Sequence, residues 1–247
     1  MAEQRESIHG LWSSRTAFVM AAAGSAVGLG NVWKFPYITG ENGGGAFVLV
    51  YLLCILLIGI PVLIAEILIG RRARKNPVNA FATLAEESKT SGAWGALGLV
   101  GVMSSFLILS FYVVIMSWPF AYISYTGSGH FGGEDAEMVA QDFGGFTSRA
   151  AELIGWTSLM VFFCMIVVMG GVKRGIERAV TAMMPGIVLI LLVLIGYSIV
   201  DGRFADGFNF LFKPDFSELS TDGVIVALGH AFFTLSLASG TMIAYGA

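Results

Sequence analysis

Long apolar stretches alternate with short polar segments along the whole chain. Each stretch is close to the roughly 20 residues that an α-helix needs to cross a bilayer. They occupy residues 17–38, 45–70, 93–124, 153–171, 179–200 and 222–247. Between them lie a polar N-terminal tail, residues 1–16, and two longer loops, residues 125–152 and 201–221. The pattern predicts an all-α integral membrane protein with six membrane segments.

Two of the six stretches are interrupted near their middle. Residues 24–31 read GSAVGLGN, and small and hydroxyl residues cluster again at 236–240. Broken backbone is tolerated at membrane depth only where it is buried in protein or lines a cavity. Freed carbonyls suit a cation and freed N–H groups suit an anion, so paired breaks indicate a ligand site near the midplane. The alternative is that the glycines serve only close helix packing.

Lys and Arg side chains predict the orientation, because cytoplasmic loops carry an excess of them. With the N-terminus inside, ten of the 14 lie on the cytoplasmic side. These are Arg5, Arg15, Arg71, Arg72, Arg74, Lys75, Lys89, Lys173, Arg174 and Arg178. We therefore expect a multi-pass protein of the cell membrane with a cytoplasmic N-terminus.

Composition excludes several classes of function. The chain is 56% hydrophobic and 13% charged, whereas soluble domains carry about 25% charged residues. No basic patch with interleaved aromatics supports a nucleic-acid partner. Cys54 and Cys164 lie inside apolar stretches and are interpreted as packing residues. No constellation of acid, base and nucleophile supports catalysis, so we do not expect an enzyme.

The interrupted segments carry runs that resemble the neurotransmitter:sodium symporter family, in its bacterial amino-acid transporter branch. The runs are GSAVGLGNVWKFPY at 24–37, ENGGGAF at 41–47, GIP at 59–61 with Glu66 and Gly70-Arg71, and FFTLS at 232–236. The resemblance implies sodium-coupled symport of an amino acid into the cell by alternating access. It also implies a first inverted repeat of five transmembrane helices, followed by a broken and incomplete sixth helix.

The resemblance implies two sodium sites, with sodium as a co-transported ion. The first would use the Ala26 carbonyl, the Asn31 side chain and Thr234, completed by the substrate carboxylate. The second would use the carbonyls of Gly24 and Val27. Hard oxygen ligands of this kind suit an alkali cation. Whether chloride takes part stays open.

The resemblance also implies a substrate site. The substrate carboxylate would meet the Leu29 and Gly30 amides and the Tyr112 hydroxyl. The residues implied for the amine are Ala26, Phe233, Thr234 and Ser236, and those implied for the side-chain pocket are Ile108, Tyr112, Phe233, Ser236 and Ser239.

The substrate class follows from two positions. The monoamine branch of the family carries an aspartate where this chain has Gly28, so an α-amino acid is favoured. Ser239 stands where relatives often place a large apolar residue. A roomier pocket for a bulky apolar or aromatic amino acid is our hypothesis.

Several further residues are implied as gating or supporting elements. Glu66 would support the site from within the second stretch, or its carboxylate would extend to the inner surface. Lys34 fits an outer gate, and His230 fits either that gate or the vestibule. Trp12 fits an inner gate, with His9 where relatives have a basic partner. Gly175 and Pro185 are spaced as in relatives whose fifth helix unwinds, although a static kink is the alternative.

Members of the family are about twice this length. We expect the chain to be an N-terminal half that functions with a missing C-terminal half. The alternative is a non-transporting membrane scaffold or partner subunit.

Overall fold

The computed structural model describes residues 12–133 and 135–247 of the chain. All regular secondary structure within these ranges is helical, which confirms the predicted all-α class. The helices, in chain order, are α1 (Arg15–Ala26), α2 (Phe35–Glu41), α3 (Gly45–Cys54), α4 (Ile60–Ala73), α5 (Pro77–Glu87), α6 (Gly95–Gly127), α7 (Ala136–Ser148), α8 (Ala150–Met169), α9 (Glu177–Val200), α10 (Phe204–Phe212), α11 (Thr221–Thr234) and α12 (Thr241–Gly246).

Several of these helices are long and apolar enough to cross a membrane. Short π-helical turns join some of them into longer units, and in the described part of the chain four units reach membrane length. They are Gly45–Ala73, Gly92–Gly127, Ala150–Met169 and Val172–Val200. A fifth span is formed if Arg15–Ala26 and Gly30–Glu41, which meet at a 48° bend, count as one. Length and composition therefore support a multi-pass membrane protein.

The first break is narrower than the sequence suggested. Helix α1 continues through Gly24 to Ala26, and only residues 27–29 separate it from the π-helical turn at Gly30–Lys34. Val27 adopts an extended conformation with φ −100° and ψ 110°. Helical hydrogen bonds from neighbouring turns outweigh the modest cost of one glycine, about 1 kcal/mol, which explains why Gly24 stays helical.

At the second break, between α11 and α12, several residues adopt a left-handed backbone conformation. Helix α11 ends at Thr234 and α12 begins at Thr241. Ser236, Ala238 and Gly240 have φ values of 53°, 59° and 78°. A left-handed conformation costs a residue with a side chain about 1–2 kcal/mol. The surrounding contacts must therefore hold Ser236 and Ala238 in place.

Three helices lie in segments where the sequence predicted only polar connections: α5, α7 and α10. Helices α5 and α7 begin at side-chain caps, Asn76 accepting from the Asn79 N–H at 2.9 Å and Asp135 accepting from the Met138 N–H at 2.9 Å. Their apolar residues recur at helical spacing but are too few for a membrane span.

Packing places the second break against α4. Helix α12 packs on α4, and α11 packs on α3. At the first of these contacts Gly70 lets the backbones meet, because a Cβ built there would lie 2.0 Å from the Ile243 carbonyl oxygen. Helix α6 packs on α5 and α8, and α1 packs on α9.

Candidate functional site

A cleft of about 550 Å³ opens between the two breaks and α6. Nine of the site residues implied by the sequence line it: Ala26, Gly30, Asn31, Ile108, Tyr112, Phe233, Thr234, Ser236 and Ser239. Gly24, Val27 and Leu29 belong to the first break but are not among the residues that line the cleft. The fold thus gathers side chains from α6 and from both interrupted segments.

The first break leaves backbone carbonyls without donors. The Gly28 N–H, which would continue α1 by bonding to Gly24, instead donates to Asn31 Oδ1 at 3.3 Å. Among the described residues no group donates a hydrogen bond to the carbonyl oxygens of Gly24, Ala26 or Val27. Unpaired carbonyls are costly when buried, so they mark a place where a cation or a donor is expected.

The second break contributes an unpaired hydroxyl and a link to the first. Thr234 is 8% exposed, and its Oγ1 has no hydrogen-bond partner in the part of the chain that the structure describes. The Ser236 hydroxyl donates to the Ser25 carbonyl oxygen at 3.2 Å. Because this bond joins residues of the two interrupted segments, it fixes their relative position at the cleft.

Tyr112 brings a hydroxyl from α6 to the first break. Its oxygen accepts the Gly30 N–H at a long 3.3 Å. No acceptor for the phenolic proton occurs within the described ranges, so the O–H group remains free to donate. The Tyr112 ring packs edge-on against Phe233, with centroids 6.1 Å apart and planes at 66°.

Glu66 contacts the second break from α4. It is 7% exposed on α4, and its Oε1 accepts the Ala238 N–H at 2.7 Å. Its Oε2 has no partner among the residues described. The carboxylate therefore satisfies a backbone donor that the left-handed conformation of Ala238 removes from helical bonding.

Aromatic rings and one cation lie around Phe233, which lines the cleft. The Lys34 ammonium lies 5.6 Å from the centroid of the Phe233 ring, within cation–π distance. His230 is only 5% exposed and stacks on Phe35, with centroids 5.6 Å apart. The sequence suggested an outer gate or the vestibule for His230, and in the structure its ring lies against Phe35 and Tyr51, which belong to other helices.

Trp12, the residue implied for the inner gate, contacts α12, and the adjacent Ser13 contacts α9. The Trp12 indole N–H donates to the Tyr245 carbonyl oxygen at 2.9 Å. The backbone N–H of Ser13 donates to Glu177 Oε2 at 3.2 Å, and its hydroxyl bonds to the same carboxylate. The expected basic partner at His9 lies outside the described residues.

Helix α9 follows directly after the turn that contains Gly175. Gly175 is buried in the π-helical turn Val172–Ile176, where a Cβ would lie 1.9 Å from the Val167 carbonyl oxygen. Helix α9 then continues past Pro185 without interruption. The fifth membrane stretch is thus fully helical from its first turn.

Sequence reasoning missed four hydroxyl residues of the cleft: Ser25, Ser104, Ser105 and Thr241. Ser105 donates to the Ser239 carbonyl oxygen at 2.9 Å, which ties α6 to the second break. The signal was present in the spacing, because residues three and four positions before Ile108 share its face of a helix.

An apolar helical protein whose interrupted spans enclose such a cleft has the architecture of a membrane transporter.

A family model described as the sodium:neurotransmitter symporter family matches residues 9–132 and 131–247. The uncharacterized sodium-dependent transporter YhdH of Bacillus subtilis is 39% identical over 95% of this chain and 51% of its own length. An uncharacterized sodium-dependent transporter of Haemophilus influenzae is 36% identical over 94% of this chain and 52% of its own length. The rat sodium-dependent neutral amino acid transporter B(0)AT1 is 26% identical over 95% of this chain and 40% of its own length.

The chain belongs to the sodium:neurotransmitter symporter family. This confirms the resemblance drawn from the sequence runs, and the family is one of sodium-dependent transporters rather than enzymes. The chain spans about half the length of the curated relatives that it matches.

Proposed function

We propose that this chain forms the sodium- and substrate-binding half of a symporter that carries an amino acid into the cell by alternating access. The observation that carries the proposal is the arrangement of the cleft. Within residues 12–133 and 135–247, three carbonyls without donors, a buried Thr234 hydroxyl without a partner and a Tyr112 O–H without an acceptor all lie at or beside it. A cation together with a zwitterion supplies the partners that these groups lack.

The oxygen atoms at the first break favour sodium as the cation. The Ala26 carbonyl, Asn31 Oδ1 and the Thr234 hydroxyl form one ligand set, and a substrate carboxylate completes it. The carbonyls of Gly24 and Val27 form part of a second set. All are hard, uncharged or singly charged oxygen ligands, which suit alkali and other hard cations better than transition metals.

The substrate carboxylate is placed at the N-terminal end of the Gly30–Glu41 unit. There it accepts from the Leu29 and Gly30 amides and from Tyr112, taking over the long Gly30 to Tyr112 hydrogen bond. The helix dipole favours a negative charge at this end. Gly28 provides no charge of its own, so the carboxylate must come from the substrate.

The substrate amine is placed at the other side of the first sodium site. The carbonyls of Ala26, Phe233 and Thr234 and the Ser236 hydroxyl are proposed to surround it, because an ammonium group donates three hydrogen bonds. Relatives named as neutral amino acid transporters support an amino acid as the substrate.

The same proposal assigns sidedness. Lys34 over Phe233 closes the outer end of the cleft, and Trp12 on Tyr245 closes the inner end, with the N-terminus in the cytoplasm. The π-helical turn at Gly175 and the proline at Pro185 are proposed as the place where α9 loosens during inward release. The five spans up to α9 would form one inverted repeat, whose partner lies in the second half of the transporter.

Transport itself is the test. The chain, and the chain joined to the second half of the Bacillus subtilis relative, are reconstituted in vesicles and given a mixture of labelled amino acids. An inward sodium gradient is expected to drive accumulation in the joined protein, and collapse of the gradient is expected to abolish it. A joined protein that is folded, yet accumulates no amino acid under any gradient, contradicts the proposal.

A further inference from the structure

Hydroxyl groups line the end of the cleft farthest from Tyr112. Ser104 and Ser105 contribute from α6, and Ser239 and Thr241 contribute from the second break. Ser104 precedes Tyr112 by eight positions, which corresponds to about 12 Å along the helix. The cleft therefore continues well beyond the place proposed for the carboxylate, and it ends on a polar floor.

Two of these hydroxyls are already committed to the backbone. Ser105 donates to the Ser239 carbonyl oxygen at 2.9 Å, and Ser239 donates to the Ser236 carbonyl oxygen at 2.6 Å. The Ser239 and Thr241 hydroxyls are 2.9 Å apart. The Ser239 hydroxyl has one proton, which it donates to the Ser236 carbonyl oxygen. Thr241 therefore donates its own proton to Ser239, and the Thr241 oxygen keeps a lone pair that can accept a hydrogen bond from a substrate.

Ser104 differs from Ser105, Ser110 and Ser117, the nearest serines that follow it in α6. Ser110 and Ser117 donate to carbonyl oxygens three positions back at 2.7 and 2.6 Å, as serines in apolar helices commonly do. The Ser104 hydroxyl makes no hydrogen bond within the ranges that the structure describes, and the residue is only partly exposed at the cleft. It is therefore free both to donate and to accept.

The middle of the cleft is apolar. Ile108 lies one helical turn from Ser104, and Phe233 lines the same cleft from the last turn of α11. The Tyr112 and Phe233 rings pack edge to face at this part of the cleft and add aromatic surface to its wall. In the proposed orientation a short aliphatic side chain would end beside Ile108, whereas the longer side chain of an aromatic amino acid would extend toward Ser104 and Thr241.

We propose that the hydroxyls of Ser104 and Thr241 select aromatic amino acids whose ring carries an O–H or N–H group, such as tyrosine and tryptophan. The inference rests on the proposed transport function and narrows its substrate. An apolar ring end would cover these hydroxyls and leave them unpaired, whereas a phenol or an indole pairs with them. Phenylalanine fits the walls but loses the pairing at the floor.

Competition between tyrosine and phenylalanine tests the inference, because the two differ by one hydroxyl. Sodium-dependent binding is measured on the joined protein described above, with the native residues and with Ser104→Ala, Thr241→Val and Thr241→Ser. Native protein is expected to bind tyrosine about tenfold more tightly than phenylalanine, the effect of one good hydrogen bond. Ser104→Ala and Thr241→Val are expected to reduce the ratio severalfold, and Thr241→Ser to preserve it.

Ser110→Ala is the matched control, because it removes a hydroxyl of the same helix that is bonded to Leu107 and lies outside the cleft. Its tyrosine to phenylalanine ratio is expected to equal the native one. A native ratio near one, or a ratio that Ser104→Ala leaves unchanged, overturns the inference while amino-acid binding stands. Absence of sodium-dependent binding for every amino acid overturns the proposed function instead.

Discussion

The Glu66 carboxylate accepts the backbone N–H of Ala238 at 2.7 Å, across 172 positions of sequence. Ala238 has a φ of 59°, a conformation that costs about 1–2 kcal/mol for a residue with a Cβ. The bond gives the freed N–H a partner where helical bonding has ended. A carboxylate on an intact span thus stabilises the interruption of a neighbouring one.

Replacement of Glu66 by alanine is expected to destabilise the protein by about 1–3 kcal/mol, because the Ala238 N–H loses its acceptor. Glu66→Gln retains an acceptor oxygen and should lose less. Thermal unfolding in detergent measures both. Glu86→Ala, which alters an exposed glutamate of α5, is the control and should leave the midpoint unchanged. Equal stability for Glu66→Ala and the control would show that the carboxylate does not support the break.

The backbone contact between α4 and α12 supports the same region. Gly70→Ala places a Cβ 2.0 Å from the Ile243 carbonyl oxygen, and the two helices must separate. Overpacking of this kind costs about 1–3 kcal/mol. Gly155→Ala is the matched control, because no atom lies within 4 Å of its new Cβ. Unfolding midpoints should fall for Gly70→Ala and stay level or rise for Gly155→Ala, and the reverse order would refute the packing described.

Thr234 and Thr39 offer a matched pair of buried hydroxyls. Both lack a hydrogen-bond partner among the described residues, but only Thr234 lines the cleft. Thr234→Val is expected to raise the sodium concentration for half-maximal binding by roughly tenfold, equivalent to about 1.4 kcal/mol. Thermal stability should not fall, because no intramolecular bond is lost. Thr39→Val should leave sodium dependence unchanged, and a similar shift in both variants would argue against Thr234 as a ligand.

Tyr112 is expected to bind the substrate carboxylate. Tyr112→Phe should weaken amino-acid binding by roughly 10- to 100-fold, since a hydrogen bond to a charged group contributes about 1.5–3 kcal/mol. Tyr37→Phe provides the control, because it removes a hydroxyl bonded at 2.6 Å to Glu41 on the exposed face of α2. Competition between a labelled and an unlabelled amino acid, at one temperature, measures the binding affinity of both variants. Unaltered affinity in Tyr112→Phe would remove the residue from the proposed site.

The sequence predicted the all-helical membrane class and the family because apolar length and long residue runs are local features. It also pointed to the glycine-rich first interruption. It did not predict that Ser236 and Ala238 would adopt positive φ, since that conformation depends on a partner such as Glu66 on another helix.

The polar end of the cleft at Ser104 and Thr241 was missed for a related reason. Ser104 and Thr241 are ordinary small residues of apolar helices, and their free lone pairs are apparent only once the neighbouring hydrogen bonds are known. Likewise, the position of His230 along its stretch suggested either the outer gate or the vestibule. Its burial comes from Phe35 and Tyr51, which belong to other helices.

Sodium-dependent equilibrium binding tests most directly whether the two helix breaks form one ion and substrate site. Labelled amino acids are bound to the chain joined to the second half of its relative, in sodium and in potassium, with Asn31→Ala beside Asn79→Ala. The latter alters an exposed asparagine of α5. Binding is expected in sodium alone, lost in Asn31→Ala and retained in Asn79→Ala. Binding that is equal in potassium, or unaffected by Asn31→Ala, would contradict the account.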